Sequence, residues 1–454
     1  MQGKLPDWPR ASRRTLSSAV LAAGVVAAGV TPALGAATGK SGGYGFSAPK
    51  QSSSGAITVW VDSTRLPIAK EYQATHPGAR IKIVTYDGDA NGSNSFKTKE
   101  ELFNRAGSGW PDVVFTTDNN SASWGSLSGT KDLAPLSKGL VAQSFLSGFP
   151  KGSLSPCTLG GVVYCFRNDL AQNVLWYNAT LMKRFGYSVP KTWQQYQALS
   201  DKLASQHPGY IMGTAGDAWT PEIYMWGAQC PASDVTGSKT IVVNTSSPNC
   251  VKAAKLLDHM IANKTMSTES LFGPDFAKTD ADKVLMLPGP SWYGETLFDD
   301  VLKTPSGQIS AAAPLQWAGT KTPVTGDVGG GAWWISSHSR HLQAAASFVQ
   351  WVITRYKYGS SLAPTYPAYK STSAAWLKAT QASGFYANKI GPVLEKAAGE
   401  VWSGWTPPAF SQESVWAETM QPAITAGKQI ESMLSAWGTA IANQAQVLGY
   451  TVKK

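Results

Sequence analysis

Between Ile57 and Thr116 the hydrophobic period switches repeatedly between strand and helix, and that alternation restricts the chain to α/β architectures. Ile57-Thr58-Val59-Trp60-Val61 is β-branched and aromatic, the composition of a buried strand. Leu66–Thr75 follows, with Ile68 and Tyr72 on one helical face, and His76-Pro77-Gly78 ends it. Ile81-Lys82-Ile83-Val84-Thr85-Tyr86 and Pro111-Asp112-Val113-Val114-Phe115-Thr116 return to the strand pattern. Parallel neighbours need a crossover between them, so this rhythm predicts a mainly parallel sheet covered by helices. A new sector starts near Phe166. Val174-Leu175-Trp176-Tyr177 is strand-like, and Thr192 is placed to cap a helix carrying Trp193, Tyr196, Leu199 and Leu203 on one stripe. A further helix over 341–355 turns Leu342, Ala345, Phe348 and Val352 inward, and Pro422 to Leu448 reads as largely helical. At 454 residues and 43% hydrophobic composition, two α/β lobes can each bury a core. Ligands of such sheets sit outside the carboxyl ends of the strands.

The first 37 residues read as an export signal. Arg10, Arg13 and Arg14 precede an uncharged stretch from Thr15 to Gly39, with the apolar run Ala19–Val30 and the small-residue end Pro32-Ala33-Leu34-Gly35-Ala36-Ala37. Cleavage after Gly35 or Ala37 fits this pattern, and an uncleaved anchor is the alternative. Ser12-Arg13-Arg14-Thr15-Leu16 also resembles a twin-arginine signal. Residues 38–55 are rich in Gly and Ser and are expected to form a flexible linker. Export to an extracellular or cell-envelope space agrees with four cysteines, an even number. Of the three connectivities, local pairing is expected: Cys157 with Cys165 across a hairpin turn, and Cys230 with Cys250. No Cys-x-x-Cys occurs, and no Cys near the end of the signal offers a site for lipid.

Catalytic and cofactor signatures are missing from the sequence. The net charge of +10 is spread without a long Lys/Arg block, so nucleic acid is not an expected partner. His338-Ser339-Arg340-His341 lacks a helical i,i+4 pair, Gly329-Gly330-Gly331 is followed by Ala332-Trp333-Trp334 rather than Lys-Ser/Thr, and no Gly-x-Ser-x-Gly elbow is present. No metal or organic cofactor is expected.

The aromatic residues point elsewhere. Among 18 Trp, 16 Tyr and 14 Phe, residues Trp60, Trp124, Trp219, Trp292, Tyr293, Trp333, Trp402 and Trp405 fall at strand ends or in loops rich in Gly, Pro and Ser. A Trp ring covers the C–H face of a sugar at little entropic cost, while Asp, Asn, Glu and Arg pair with its hydroxyls. Asp62, Arg65, Asp118, Asp169 and Asp217 lie near several of these Trp residues in sequence. Burial in a core is the competing reading for any one Trp, and Trp176, Trp193 and Trp351 are expected there.

In motif order the chain resembles the extracellular solute-binding proteins of ABC importers, the family that includes maltose-binding protein and related carbohydrate binders. The resemblance covers roughly residues 56–450. It rests on Ile57-Thr58-Val59-Trp60 with the helix closed by His76-Pro77-Gly78, on Gly109-Trp110-Pro111-Asp112-Val113-Val114, and on Asp132-Leu133-Ala134-Pro135-Leu136. Its most specific part is Leu175-Trp176-Tyr177-Asn178, then Phe185-Gly186-Tyr187, then Pro190-Lys191-Thr192-Trp193. Met286-Leu287-Pro288-Gly289-Pro290-Ser291-Trp292, then Gly330-Gly331-Ala332-Trp333-Trp334-Ile335 and Pro367-Ala368-Tyr369-Lys370-Ser371, complete the order. The chain departs from the family at its first crossover, where Gly161-Val162-Val163-Tyr164-Cys165-Phe166-Arg167 stands in place of Gly-x-x-Tyr-Gly-x-Pro.

The resemblance implies an α/β, two-lobe periplasmic-binding-protein-like fold with a hinge and an inter-lobe ligand cleft. Crossings are expected near Phe166–Leu170, Thr325–Val328 and Leu362–Pro367. The N-lobe would then comprise 56–167 and 328–364, and the C-lobe 168–327 and 365–454. It implies a monomeric, non-enzymatic protein that captures a sugar or oligosaccharide by hinge closure and delivers it to ABC transporter permease subunits. The expected ligand-binding set is Trp60, Asp62, Arg65, Asp118, Asp169, Asp217, Trp219, Trp292, Tyr293, Gly330, Trp333, Trp402 and Trp405. A binder of a non-sugar solute and a secreted carbohydrate-active enzyme are the alternatives.

Overall fold

A computed structural model describes residues 43–118, 120–127, 132–236, 239–355 and 365–454. The expected signal, the first part of the linker and residues 362–364 of the third expected crossing lie outside the described residues. A five-stranded sheet runs in the order Ile81–Thr85, Ile57–Val61, Val113–Thr116, Ala332–Ile335, Cys165–Arg167. Ile57–Val61 pairs in parallel with both of its neighbours, and Leu66–Thr75 and Ser95–Ala106 supply helical crossovers. Ala332–Ile335 enters antiparallel, between Val113–Thr116 and Cys165–Arg167. Every residue of Val113–Thr116 is buried, as its unbroken apolar run requires of a strand covered on both faces.

Alternation along one strand divides the aromatic residues between those faces. Trp333 packs 5.0 Å from Phe115 and 5.8 Å from Phe348, while Trp334 turns the other way, 5.2 Å from Phe96. On the Trp333 side, Tyr72 sets helix Leu66–Thr75 edge-on against Phe348 and Trp351 of helix Leu342–Arg355. Leu342, Ala345, Phe348 and Val352 are all buried, as the helical period predicts.

The second sheet is Met286–Pro290, Asn173–Asn178 and Ile309–Ala312, antiparallel throughout. The expectation of a mainly parallel sheet holds for the first three strands, from which it was read, and not for the strands added to them or for this second sheet. Met286–Pro290 tolerates Pro288 and Pro290 because it lies at the edge of its sheet. Helix Trp193–Gln206 starts where predicted: the Thr192 hydroxyl accepts from the Gln195 amide at 3.1 Å. The segment expected to be one largely helical run is broken into Gln421–Thr425 and Ile430–Val447, with Gly427 between them at φ +76°. After it, Thr451–Lys453 pairs in parallel with Thr240–Val242, a strand the sequence did not announce.

Chain segments joining the two sheets run side by side. Asp169 bridges to Pro367, and Gln172 to Asp327, both antiparallel. Cys157 pairs with Cys165 around the hairpin of Thr158–Leu159 and Val162–Val163, and Cys230 pairs with Cys250 at the start of helix Pro248–Ala262. From Gly43 onward the expected flexible linker is held against the first sheet's lobe. Gly45 donates to the Lys138 carbonyl at 2.7 Å, Ser52 to the Arg340 carbonyl at 2.8 Å, and the Gln51 side chain accepts from Leu342 at 3.0 Å. Among the described residues no helix is long and apolar enough to cross a membrane.

Candidate functional site

Three groups of side chains converge where the joining segments meet the strand ends. The first is polar. Asp62 follows strand Ile57–Val61; one carboxylate oxygen accepts from the Arg65 amide at 2.7 Å and the other from its guanidinium at 3.1 Å. That guanidinium lies 3.8 Å from Asp169 and 4.3 Å from the ring centre of Phe115. Burial raises the pKa of Asp169, against the opposing pull of Arg65 and of the Asn168 amide donated at 2.8 Å. Arg167 donates to the Asp327 carboxylate at 3.2 Å and to the carbonyls of Asp169 and Gly329. Gly330 sits at φ +73°, and a Cβ there would come within 1.9 Å of the Arg167 guanidinium, so only glycine fits.

The second group is an aromatic shelf. The Trp292 indole N–H donates to the Val328 carbonyl at 3.1 Å, and the Trp219 indole N–H to the Tyr293 hydroxyl at 2.9 Å. Trp219 and Trp292 meet edge to face at 5.8 Å, and Phe272, 39% exposed, joins them at 5.9 and 6.1 Å. Asp217 holds this shelf from below. It accepts from the Ser270 hydroxyl at 2.6 Å and from the Leu271 amide at 3.2 Å, which fixes the loop presenting Phe272. Burial outweighs these bonds and pushes its pKa up to about 6.

The third group lines a narrow pocket that includes Asp118, Asn120, Glu222, Trp226, Gly329, Trp405, Phe410, Gln412 and Glu413. Lys97 donates to Asp118 at 2.6 Å and to Asn120 at 2.8 Å. Trp226 and Trp405 pack with ring centres 5.3 Å apart. The carboxyl groups of Glu222 and Glu413 are hydrogen-bonded to each other. Such a bond needs a proton on one of them. Burial first, and the neighbouring acids second, raise both: Glu413 to about 7 and Glu222 well above the usual carboxylate range. Glu222 Oε2 and both amide atoms of Gln412 are buried without a hydrogen-bond partner. The walls of the pocket are tied together directly: the Ser414 hydroxyl donates to the Gly92 carbonyl at 2.6 Å, and the Ser123 hydroxyl to the Pro407 carbonyl at 2.8 Å.

The sequence-predicted residues are distributed unevenly over these groups. Asp118 and Trp405 line the pocket; Asp62, Arg65, Asp169 and Gly330 form the polar network; Trp219, Trp292 and Tyr293 form the shelf, with Asp217 beneath. Tyr293 is fully buried and contributes its hydroxyl to Trp219 rather than a ring face. Three residues stand apart. Trp60 packs against Tyr86, Phe96 and Phe103 on the Trp334 side of the first sheet. Trp333 is enclosed between Phe115 and Phe348. Trp402 accepts from the Trp226 indole N–H at 2.8 Å through its carbonyl and donates its amide to the Thr325 carbonyl at 3.0 Å. Strand parity explains the first two, because each points into a layer of helices.

Glu222, Trp226, Phe272, Gln412 and Glu413 were missed. One signal was available: Glu222 is the single charged residue between Asp217 and Asp234, immediately before the apolar run Ile223-Tyr224-Met225-Trp226. Every residue of helix Thr220–Gly227 is buried, and the acid is buried with it.

Residues 58–355 match the model of the bacterial extracellular solute-binding protein family. The chain belongs to that family. This solute-binding protein is 28% identical over 200 residues to a multiple sugar-binding protein of Streptococcus mutans, a match that takes in 40% of this chain and 44% of that relative. Its fold is that of an ABC-transporter-associated binding protein from B. animalis subsp. lactis, solved with β-1,6-galactobiose, at a TM-score of 0.72 and 20% identity over 88% of this chain and 99% of that one. The galacto-N-biose/lacto-N-biose I-binding protein of Bifidobacterium longum, solved with lacto-N-biose, is similar at a TM-score of 0.72 and 20% identity, over 88% and 100% of the two chains. Both neighbours have the two-lobe periplasmic-binding-protein fold, and the solute-binding protein described here shares it.

Proposed function

We propose that this protein is the exported binding component of an ABC importer, that it captures a sugar or oligosaccharide between its lobes, and that it hands the sugar to membrane permease subunits. The lobes in this reading are 56–167 with 328–364, and 168–327 with 365–454. The observation that carries the reading is the set of buried orphans on the pocket wall, Glu222 Oε2 and the Gln412 amide, beside the packed rings of Trp226 and Trp405. A buried polar atom without a partner costs about 1–3 kcal/mol, which a ligand hydroxyl recovers. Aromatic walls with a few unsatisfied polar groups suit a sugar, whose C–H faces stack while its hydroxyls donate and accept. The sugar ligands of the S. mutans relative and of the two solved neighbours support the same class.

Pocket residues come from both lobes, so a ligand there favours the state in which the lobes are drawn together. Asp62, Arg65 and Asp169 form the polar side of the cleft, and Trp219 and Trp292 its aromatic side. The protein acts as a monomer. The arrangement of Glu222 and Glu413 speaks against glycoside hydrolysis. Catalytic carboxyl pairs stand about 5 Å or more apart with the sugar between them, whereas these two are bonded to each other. Isothermal titration over mono- and oligosaccharides tests the proposal. Saturable one-to-one binding without product supports it; no binding across the panel, or turnover of chromogenic glycosides, overturns it.

A further inference from the structure

Three carboxyl groups face the pocket, from Asp118, Glu222 and Glu413. Lys97 is hydrogen-bonded to Asp118 and Asn120. Among the described residues no Lys, Arg or His forms an ion pair with Glu222 or Glu413. Above about pH 7, where Glu413 gives up its proton while Glu222 keeps its own, the pair carries one negative charge. Asp118 and Asp217 face Glu413, and Asp118 and Asp327 face Glu222, while Lys97, the one cation near Glu413, is hydrogen-bonded to Asp118.

The unpartnered atoms show what is wanted. Glu222 Oε2 and Gln412 Oε1 are two buried acceptors without donors, on side chains 9% and 6% exposed. A sugar hydroxyl brings a single proton and no charge. An ammonium brings three N–H donors and one positive charge, enough for Glu222, Glu413 and the Gln412 carbonyl together. Among the described residues no three of His, Cys, Asp and Glu converge to hold a metal ion, which favours an organic cation.

Resting on the saccharide reading above, we propose that the sugar this pocket takes carries a basic nitrogen: an amino sugar whose ammonium is received by Glu222 and Glu413. The Gln412 Nε2 then donates to a neighbouring ring hydroxyl, and the rings of Trp226 and Trp405 face the C–H surface.

The full chain is titrated at about pH 7.5, just above the value of about 7 for Glu413 and below that of an ordinary aliphatic amine. The ligands are glucosamine and galactosamine and their β-1,4-linked disaccharides, each beside the parent neutral sugar and the N-acetyl form. Spermidine is the linear cation control. The expected result is at least about tenfold tighter binding of an amino sugar than of its neutral parent, weakened by added salt. In Glu413→Gln, and separately in Glu222→Gln, that ratio collapses toward one, with melting curves confirming the fold. Neutral sugars bound as tightly as their amino counterparts overturn this inference alone. Spermidine bound ahead of every sugar overturns the amino-sugar assignment. Failure of every saccharide, neutral and basic, overturns this inference and the saccharide reading together.

Discussion

The guanidinium of Arg167 lies 3.2 Å from the carboxylate of Asp327, both side chains nearly fully buried. Arg167 ends a strand of the first sheet, while Asp327 sits on the segment returning from the second, so one ion pair joins two passages of the chain between the lobes. Its remaining donors hold the carbonyls of Asp169 and Gly329, which sets the spacing of the polar network and the pocket.

Removing one partner of a buried pair leaves an uncompensated charge and costs about 3–5 kcal/mol. Arg167→Met is therefore expected to lower unfolding stability by roughly that amount, as measured by urea denaturation. The double variant Arg167→Met/Asp327→Leu should recover a good part of the loss. A double variant as unstable as the single one would show that packing, and not charge, sets the cost.

Glu100 is 1% exposed, and neither of its carboxyl oxygens has a hydrogen-bond partner. Burial, then the neighbouring Asp132, pushes its pKa from 4.5 up to about 9. The folded protein thus keeps a proton that the unfolded chain releases above about pH 4.5, and this group's contribution to stability falls as pH rises from there toward about 9. Glu100→Gln should raise the melting temperature at pH 8, with a gain of about 1–3 kcal/mol, and should leave stability at pH 4 nearly unchanged. A pH-independent effect would remove Glu100 as the source.

Gly92 meets Ser414 across the cleft at φ +71°, and a Cβ there would stand 2.5 Å from the Ser414 hydroxyl. Gly92→Ala should push the lobes apart. The expected signs are a larger radius of gyration by solution X-ray scattering and ligand affinity weakened about tenfold, with a local backbone cost near 1 kcal/mol. An unchanged radius with unchanged affinity would mean that the loop yields without moving the lobe.

Trp292 is half-buried and holds its place through the Val328 carbonyl. Trp292→Ala is expected to weaken sugar binding by about 2 kcal/mol, the scale of a binding hot spot, with little loss of apo stability. Titration of the variant at full parental affinity would take the aromatic shelf out of the site.

What the sequence determined by itself was local. The period of apolar residues placed the strands at Ile57, Ile81 and Val113 and the helices at Leu66 and Trp193, because side-chain periodicity and capping act within a few residues of chain. Asp62, Asp118, Trp219 and Trp292 stood out as candidates for a related reason: each follows a strand or opens a loop, where a polar or aromatic side chain has no layer to enter. Trp60 and Trp333 looked the same in sequence, and the tertiary structure sent them into opposite helical layers, since a strand's parity decides direction only once both faces are covered. Glu222 and Glu413 are 191 positions apart and carry no shared signal, yet packing of their helices brings the two carboxyl groups into one hydrogen bond. The pocket was decided at that level alone, because desolvation, which gives its acids a shared proton and leaves Gln412 unpartnered, depends on what surrounds a residue in space and not on its neighbours in the chain.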